Sequence, residues 1–255
     1  MCLILFAWQS HPKYRLVVAA NRDEFHQRPA APAQFWEDAP DLLAGRDLQA
    51  GGTWLGVTRS GRFAAITNYR EPVAPELPLE HSRGHLVRDY LAAEEEPLAH
   101  ARDLVSRGST YRGFNVLFGA PGSLAYASNR RREPGLVDAG VHGLSNHLLD
   151  TDWPKVHSGR NRLDGLMQDE RLEAEALFEL LTDKTLTPGE IPEDLETSLA
   201  PERLMKHYFI VSPVYGTRCS TVVLMDHDGR IEFHERQFDP EGQATATHRF
   251  RFKVP

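Results

Sequence analysis

The chain has 255 residues, of which 41% are hydrophobic and 25% charged, with a net charge of -7 and a pI near 5.9. That length buries one large core or two modest ones, the composition is that of a soluble globular protein, and the acidic balance excludes a general nucleic-acid binder, whose electrostatic footprint is basic. Two cysteines, Cys2 and Cys219, are too few for a disulfide framework and too far apart in sequence for a zinc site, so a reducing, cytoplasmic compartment is expected.

Residues 2–8 and 14–20 are apolar, partly β-branched runs separated by the turn signal His11-Pro12-Lys13. They predict a hairpin with both strands well buried. The opening run from Leu3 to Trp8 lacks a basic flank and is too short to span a bilayer. Residues 27–50 are Pro- and Ala-rich and predict a surface excursion ending in Gly51-Gly52. Residues 53–58 and 62–67 predict a second hairpin over a Ser60-Gly61 turn.

Helices follow. Residues 83–93 carry Leu86, Tyr90 and Leu91 at helical spacing, with Ser82 as the expected cap, and 97–107 carry Leu98, Ala101 and Val105. Strands return at 114–119 and 124–128, turning at Pro121-Gly122, and a short strand at 141–144 leads into a polar loop. Residues 154–167 and 171–181 predict two more helices, the first opened by Pro154 and capped by Thr151 or Asp152. The Thr/Pro/Glu-rich stretch 183–200 predicts an exposed loop, 221–225 and 231–235 a final hairpin, and 247–252 one more strand. Hairpins dominate, which predicts an α+β protein: a four-layered α/β/β/α sandwich of two mostly antiparallel sheets, in one domain spanning 1–255.

The first chemical signal is Cys2, directly behind Met1. Initiator methionine is trimmed before small residues, and trimming here leaves one residue with both a thiol and an α-amine. An α-amine titrates near pH 8 and serves as a base near neutrality, whereas a thiol is a weak nucleophile until its proton is removed. The bland alternative is a small buried hydrophobe starting a strand.

Polar clusters stand at the ends of apolar strands. Asn21-Arg22-Asp23-Glu24 ends the second strand. With the hairpin turn at 11–13, residue 2 and residues 19–24 share its open end, which brings Arg22 or Asp23 beside the Cys2 thiol. An Arg there favours thiolate, and a carboxylate there orients an α-ammonium; a charged loop with local ion pairs fits the same residues. Asn68 in Thr67-Asn68-Tyr69-Arg70 and Asn146 in Gly143-Leu144-Ser145-Asn146-His147 are candidate oxyanion donors, against ordinary turn chemistry. His147 is a candidate general base, against the simpler reading of an exposed loop histidine. Arg218, before the strand at 221–225, is a candidate charge for a thiolate or a substrate anion, against an edge-strand Arg with no role, and Cys219 reads as a packing residue. No Walker A loop, GxGxxG, HExxH or CxxCH occurs, so no cofactor and no metal are expected.

The segments Met1-Cys2, Asn21-Arg22-Asp23-Glu24, Gly51-Gly52-Thr53-Trp54-Leu55-Gly56, Thr67-Asn68-Tyr69-Arg70, Ser82-Arg83-Gly84, Gly143-Leu144-Ser145-Asn146 and Thr217-Arg218-Cys219-Ser220-Thr221 occur in that order. Together they resemble the NRDE family, also called the transport and Golgi organisation protein 2 family. The resemblance implies an N-terminal nucleophile hydrolase fold, related to the cholylglycine hydrolase and penicillin V acylase group. Carried over residue by residue, it makes Cys2 the nucleophile, flanked by Arg22 and Asp23. It makes Asn68 and Asn146 the oxyanion or amine-orienting groups and Arg218 a late active-site arginine. The implied activity is hydrolysis of a linear amide by an N-terminal cysteine. The family's eukaryotic members are also associated with haem trafficking, secretory organisation and lipid metabolism, so a non-enzymatic carrier of haem or acyl lipid is the alternative. Either way the expected partner is a small molecule (amide, acyl lipid or haem), with no nucleic acid and no integral membrane segment.

Overall fold

The computed structural model describes residues 2–71, 82–107, 110–185 and 206–255. Of the predicted 183–200 loop, residues 186–200 lie outside the described residues. The chain divides into two compact units, each drawn from separate stretches of sequence: Met1–Gln27, Ala139–Ser145 and Leu149–Arg251 in the first, Arg28–Asp138, Asn146–Leu148 and Phe252–Pro255 in the second.

In the first unit β1 (Leu3–Trp8), β2 (Tyr14–Phe25), β10 (Gly140–Leu144), β11 (Tyr215–Asp226), β12 (Arg230–Phe238) and β13 (Ala244–Lys253) form an antiparallel sheet in the order β10-β1-β2-β11-β12-β13. Leu3, Leu5 and Ala7 of β1 share one face with Val17, Ala19, Val222 and Leu224. That face packs under α3 (Pro154–Leu166) and α4 (Ala174–Leu181) through Trp153, Val156, Leu163, Leu177 and Phe178. The alternating set Ile4, Phe6, Val18, Ala20 and Val223 is buried too, which is why these strands read as continuous apolar runs. The predicted first hairpin forms, with His11 Nδ1 accepting from the Lys13 and Tyr14 amides to close its turn.

Two predictions are corrected here. β2 does not stop at residue 20 but continues as strand to Phe25, because β11 pairs with it out to Tyr215↔Phe25. Helix α3 has Trp153 at its N-cap with no side-chain capping bond; Asp152 instead accepts from His157 Nδ1.

The second unit holds β3 (Ala30–Trp36), β4 (Ala39–Asp47), β5 (Leu55–Thr58), β6 (Phe63–Asn68), β7 (Phe114–Ala120), β8 (Ser123–Ser128) and β9 (Gly135–Leu136), paired antiparallel in that order, with α1 (Gly84–Ala92) and α2 (Pro97–Ser106). Leu86, Val87, Tyr90 and Leu91 of α1 and Ala101 and Leu104 of α2 pack on Leu42, Ala64, Ile66, Val116 and Phe118. The predicted surface excursion at 27–50 is in fact the hairpin β3–β4. Trp36 anchors it by burial and by an indole N–H donated to Ala44 O. Ser82 is not the α1 cap, a position taken by Arg83, although its hydroxyl accepts from the Gly84 amide. Among the described residues no helix is long and apolar enough to cross a membrane.

Candidate active site

The open end of the β1–β2 hairpin lies where the turn position requires. Leu3 pairs with Asn21, and carrying that register one residue further sets Cys2 beside Arg22. Cys219 on β11 faces Arg22 from the opposite side. The Cys2 carbonyl accepts from Ser145 Oγ at 2.8 Å, which ties the start of β1 to the end of β10. Burial pushes the Cys2 thiol above its ordinary value, and the nearby Asp23 carboxylate adds to this. The Asp23 backbone amide, hydrogen-bonded to the sulfur, and the Arg22 charge oppose it without cancelling it. At neutral pH the sulfur therefore carries its proton, and chemistry at this position requires a base.

Asp23 is 5% exposed. Thr217 Oγ1 donates to its Oδ1 at 2.7 Å and accepts from the Ile210 amide at 2.9 Å. Burial pushes the Asp23 carboxyl up; the Lys155 ammonium, the Thr217 hydroxyl and Arg22 pull it back. Lys155, in the first turn of α3, is 0% exposed. Reading the sequence alone misses it, yet a signal is present. A cation in a helix's first turn opposes the helix dipole and asks for an anion, and the Lys155 charge is felt at the Asp23 carboxyl, which it lowers.

The remaining residues of the quartet divide between structure and charge. Asn21, fully buried, donates from Nδ2 to Leu181 O at 2.9 Å and Tyr208 O at 2.8 Å and accepts from Ser220 Oγ at 2.5 Å. It ties β2 to the end of α4 and to β11. Arg22 lies 3.8 Å from Glu24 in an ion pair. Arg218 sits where the β11 register slips between Thr217 and Cys219. Such a bulge re-aims a side chain, and its Nη1 donates to the carbonyls of Phe25 (2.9 Å) and His26 (3.2 Å). Cys219 is 5% exposed and burial holds its thiol well above the ordinary range. The first unit thus contains Cys2, Arg22, Asp23 and Arg218, joined by Lys155 and Thr217.

Asn68 and Asn146 belong to the second unit. There Asn146 is buried, its Nδ2 donates to Asn68 O at 2.8 Å, and its own carbonyl accepts from the Arg70 amide at 2.7 Å. His147 tilts against the Tyr69 ring, with centroids 4.9 Å apart. Among the described residues no group of three or more His, Cys, Asp or Glu is placed to hold a metal ion.

The comparisons with known proteins agree with the motif reading. The family described as Transport and Golgi organisation 2 matches residues 1–240. The Transport and Golgi organization protein 2 homolog of Bos taurus is 35% identical over 277 residues, covering 99% of this chain and 100% of its own. The Homo sapiens homolog is 34% identical, covering 92% of each chain. Among solved structures, the Caenorhabditis elegans N-acylethanolamine-hydrolyzing acid amidase ortholog superposes with a TM-score of 0.50 at 10% identity, covering 88% of this chain and 92% of its own. That likeness bears out the α+β, N-terminal nucleophile hydrolase-like fold. The chain belongs to the Transport and Golgi organisation 2 family.

Proposed function

We propose that this member of the Transport and Golgi organisation 2 family is an N-terminal-cysteine hydrolase of linear amides. The observation that carries the reading is the Cys2 sulfur, held against the Asp23 amide in a half-buried polar setting that keeps it protonated. A nucleophile in that state needs a base, and removal of Met1 supplies one on the same residue. The α-amine takes the thiol proton, and the sulfur attacks the amide carbonyl carbon. As the C–N bond breaks, the ammonium returns that proton to the leaving amine, and a thioester remains. Water, deprotonated by the α-amine, attacks the thioester; the acid leaves and the thiol is restored. Buried Asp23, held by Thr217 and balanced by Lys155, orients the ammonium. Family resemblance gives Asn68 and Asn146 the oxyanion role, tested by loss of kcat in their alanine variants. The chemistry needs a reduced thiol, which suits the cytoplasm.

The test combines two measurements. Intact mass of the purified protein should show loss of Met1. Turnover of a panel of N-acyl amino acids and penicillin V should then vanish in Cys2→Ala. Retained Met1, or a fully active Cys2→Ala, would refute the mechanism. The carrier reading makes the opposite forecast: saturable haem binding with a Soret shift, and no turnover in either protein.

A further inference from the structure

Cys2 stands just before the first ladder position of the chain. β1 opens at Leu3, which pairs with Asn21 of β2, and its pairing with β10 ends at Ile4↔Leu144. A residue at a chain end frays unless something ties it down. Fraying matters at this position because the proposed nucleophile and its base share the residue. With Met1 removed, two torsions place them. Rotation about Cα–C sets the α-amine and Cβ relative to the Cys2–Leu3 peptide plane, and χ1 sets the sulfur relative to the amine.

Two contacts hold this geometry from opposite ends. The Asp23 amide meets the sulfur. Ser145 Oγ donates to the Cys2 carbonyl at 2.8 Å and so holds the peptide plane. Ser145 is the first residue past β10 and is 3% exposed. Its hydroxyl supplies a donor where the strand's own backbone pairing has ended. The far end of this tether is braced. Asp150 has a φ of +59°, a left-handed conformation that Asp adopts more readily than most residues, and it turns back on β10. Its amide donates to Gly143 O at 2.9 Å, its Oδ1 accepts from the Gly143 amide at 2.8 Å, and its Oδ2 accepts from His142 Nδ1 at 2.8 Å. Gly143 rests so close to α3 that a Cβ there would meet Val156 Cγ1 at 2.7 Å. Ser145 therefore projects from a strand end with little room to move.

We infer that Ser145 is a positioning residue for the Cys2 centre, its hydroxyl holding the terminal residue so that amine and sulfur meet the substrate together. Its part in turnover rests on the hydrolase reading; its hold on Cys2 does not. Orientation of this kind acts on the rate of the chemical step rather than on binding.

Ser145→Ala removes one oxygen and drives reactivity and catalysis in opposite directions. A released Cys2 leaves the half-buried place where burial raises its thiol. Iodoacetamide should then alkylate it about fivefold faster at neutral pH, with the midpoint of the pH profile moved down. Turnover of the N-acyl amino acid panel should fall about fivefold in kcat with KM little changed. General loosening would instead speed alkylation of Cys219 as well, which should keep its wild-type rate. In wild type, carbon relaxation at the Cys2 α-carbon should give an order parameter of about 0.85, that of rigid backbone, a readout that needs no variant. A wild-type value below about 0.6 overturns the inference. So does an unchanged Cys2 alkylation rate and pH midpoint in Ser145→Ala, an acceleration shared equally by Cys219, or an undiminished kcat. Should wild type turn over none of the panel, the hydrolase reading falls by itself, and alkylation and relaxation still decide whether Ser145 holds Cys2.

Discussion

Replacing Thr217 by valine removes one oxygen and changes almost nothing else in shape, so it isolates the bond that holds Asp23. Thr217 is 1% exposed and its hydroxyl has two partners: it donates to Asp23 Oδ1 and accepts from the Ile210 amide. Losing a hydrogen bond to a charged group costs about 1.5–3 kcal/mol, and a buried amide left without its acceptor about 1–3 kcal/mol. Thr217→Val should therefore lose roughly 3 kcal/mol or more at neutral pH, a fall in Tm of roughly 5–10 °C for a chain of this size. Thr217→Ser keeps the oxygen and forgoes one methyl group, about 1 kcal/mol. The pH dependence has a definite sign. Burial raises the folded-state pKa of Asp23 above its unfolded value. Its stabilising contribution is therefore complete below the ordinary carboxylate range and is lost as pH rises through the raised folded pKa. Removing the hydroxyl raises that pKa further, because the bond stabilised the charged form. The Thr217→Val penalty should be larger at pH 8 than at pH 4. Urea denaturation of both variants at the two pH values is the assay. A valine variant within about 0.5 kcal/mol of wild type at pH 8, a change typical of unremarkable surface positions, would refute the account of how Asp23 is held.

Three further outcomes are expected. Iodoacetamide should label Cys2 ahead of Cys219 in the native protein, at a rate rising with pH, because burial raises both thiols and Cys219 by more; peptide mapping showing equal labelling would contradict the site description. Lys155→Met keeps the aliphatic stem and removes the ammonium that lowers the Asp23 carboxyl, so it should raise the folded-state pKa of Asp23 further and make the variant lose more stability, relative to wild type, at neutral pH than in acid, with an unchanged pH dependence of the denaturation midpoint counting against a Lys155–Asp23 interaction. Gly52→Ala should destabilise more than Gly51→Ala, as read by thermal melts. A Cβ on Gly52 would meet Gly84 C at 2.5 Å and Gly84 O at 2.7 Å, both backbone, a clash on the order of 1–3 kcal/mol. Gly51 has open space and only its φ of +75° to lose, about 1 kcal/mol.

Reading the sequence works where the information is local and fails where it is not. The turn at 11–13 locates the open end of the first hairpin, and from that alone residue 2 falls beside residues 21–23. The length of β2 is not local. A run of four polar residues ends a strand unless partners satisfy it, and the partners of Asn21 and Asp23 lie about 160 to 200 positions away in Leu181, Tyr208, Thr217 and Ser220. The hairpin β3–β4 is hidden by Pro32, which argues against a strand in general but not on an edge, where no ladder donor is needed. β3 is the edge of its sheet, and its register slips between Ala31 and Gln34 around that proline.

The same distinction separates family motif from chemistry. Gly51-Gly52 and Ser82-Arg83-Gly84 stand about thirty residues apart in sequence, and both read as motif. In the fold they meet. The Thr53 amide donates to Gly84 O at 3.1 Å, His85 Nε2 lies 2.6 Å from Ala50 O, and Arg83 Nη1 donates to Gly113 O at 2.8 Å. Two glycines facing each other let the backbone before β5 rest on the first turn of α1, a closeness that side chains would forbid. Asn21 does comparable work in the first unit, with all three of its side-chain bonds spent on Leu181, Tyr208 and Ser220. Membership in the family therefore rests in good part on residues that build the scaffold. The candidate chemistry is concentrated in Cys2, Asp23, Thr217 and Lys155, and Lys155 lies outside every motif by which the family is known in this sequence. A variant at Asn21 or Gly52 that abolishes activity would report a lost fold, whereas one at Thr217 or Lys155 that changes a pH profile at preserved secondary structure would report on the site itself.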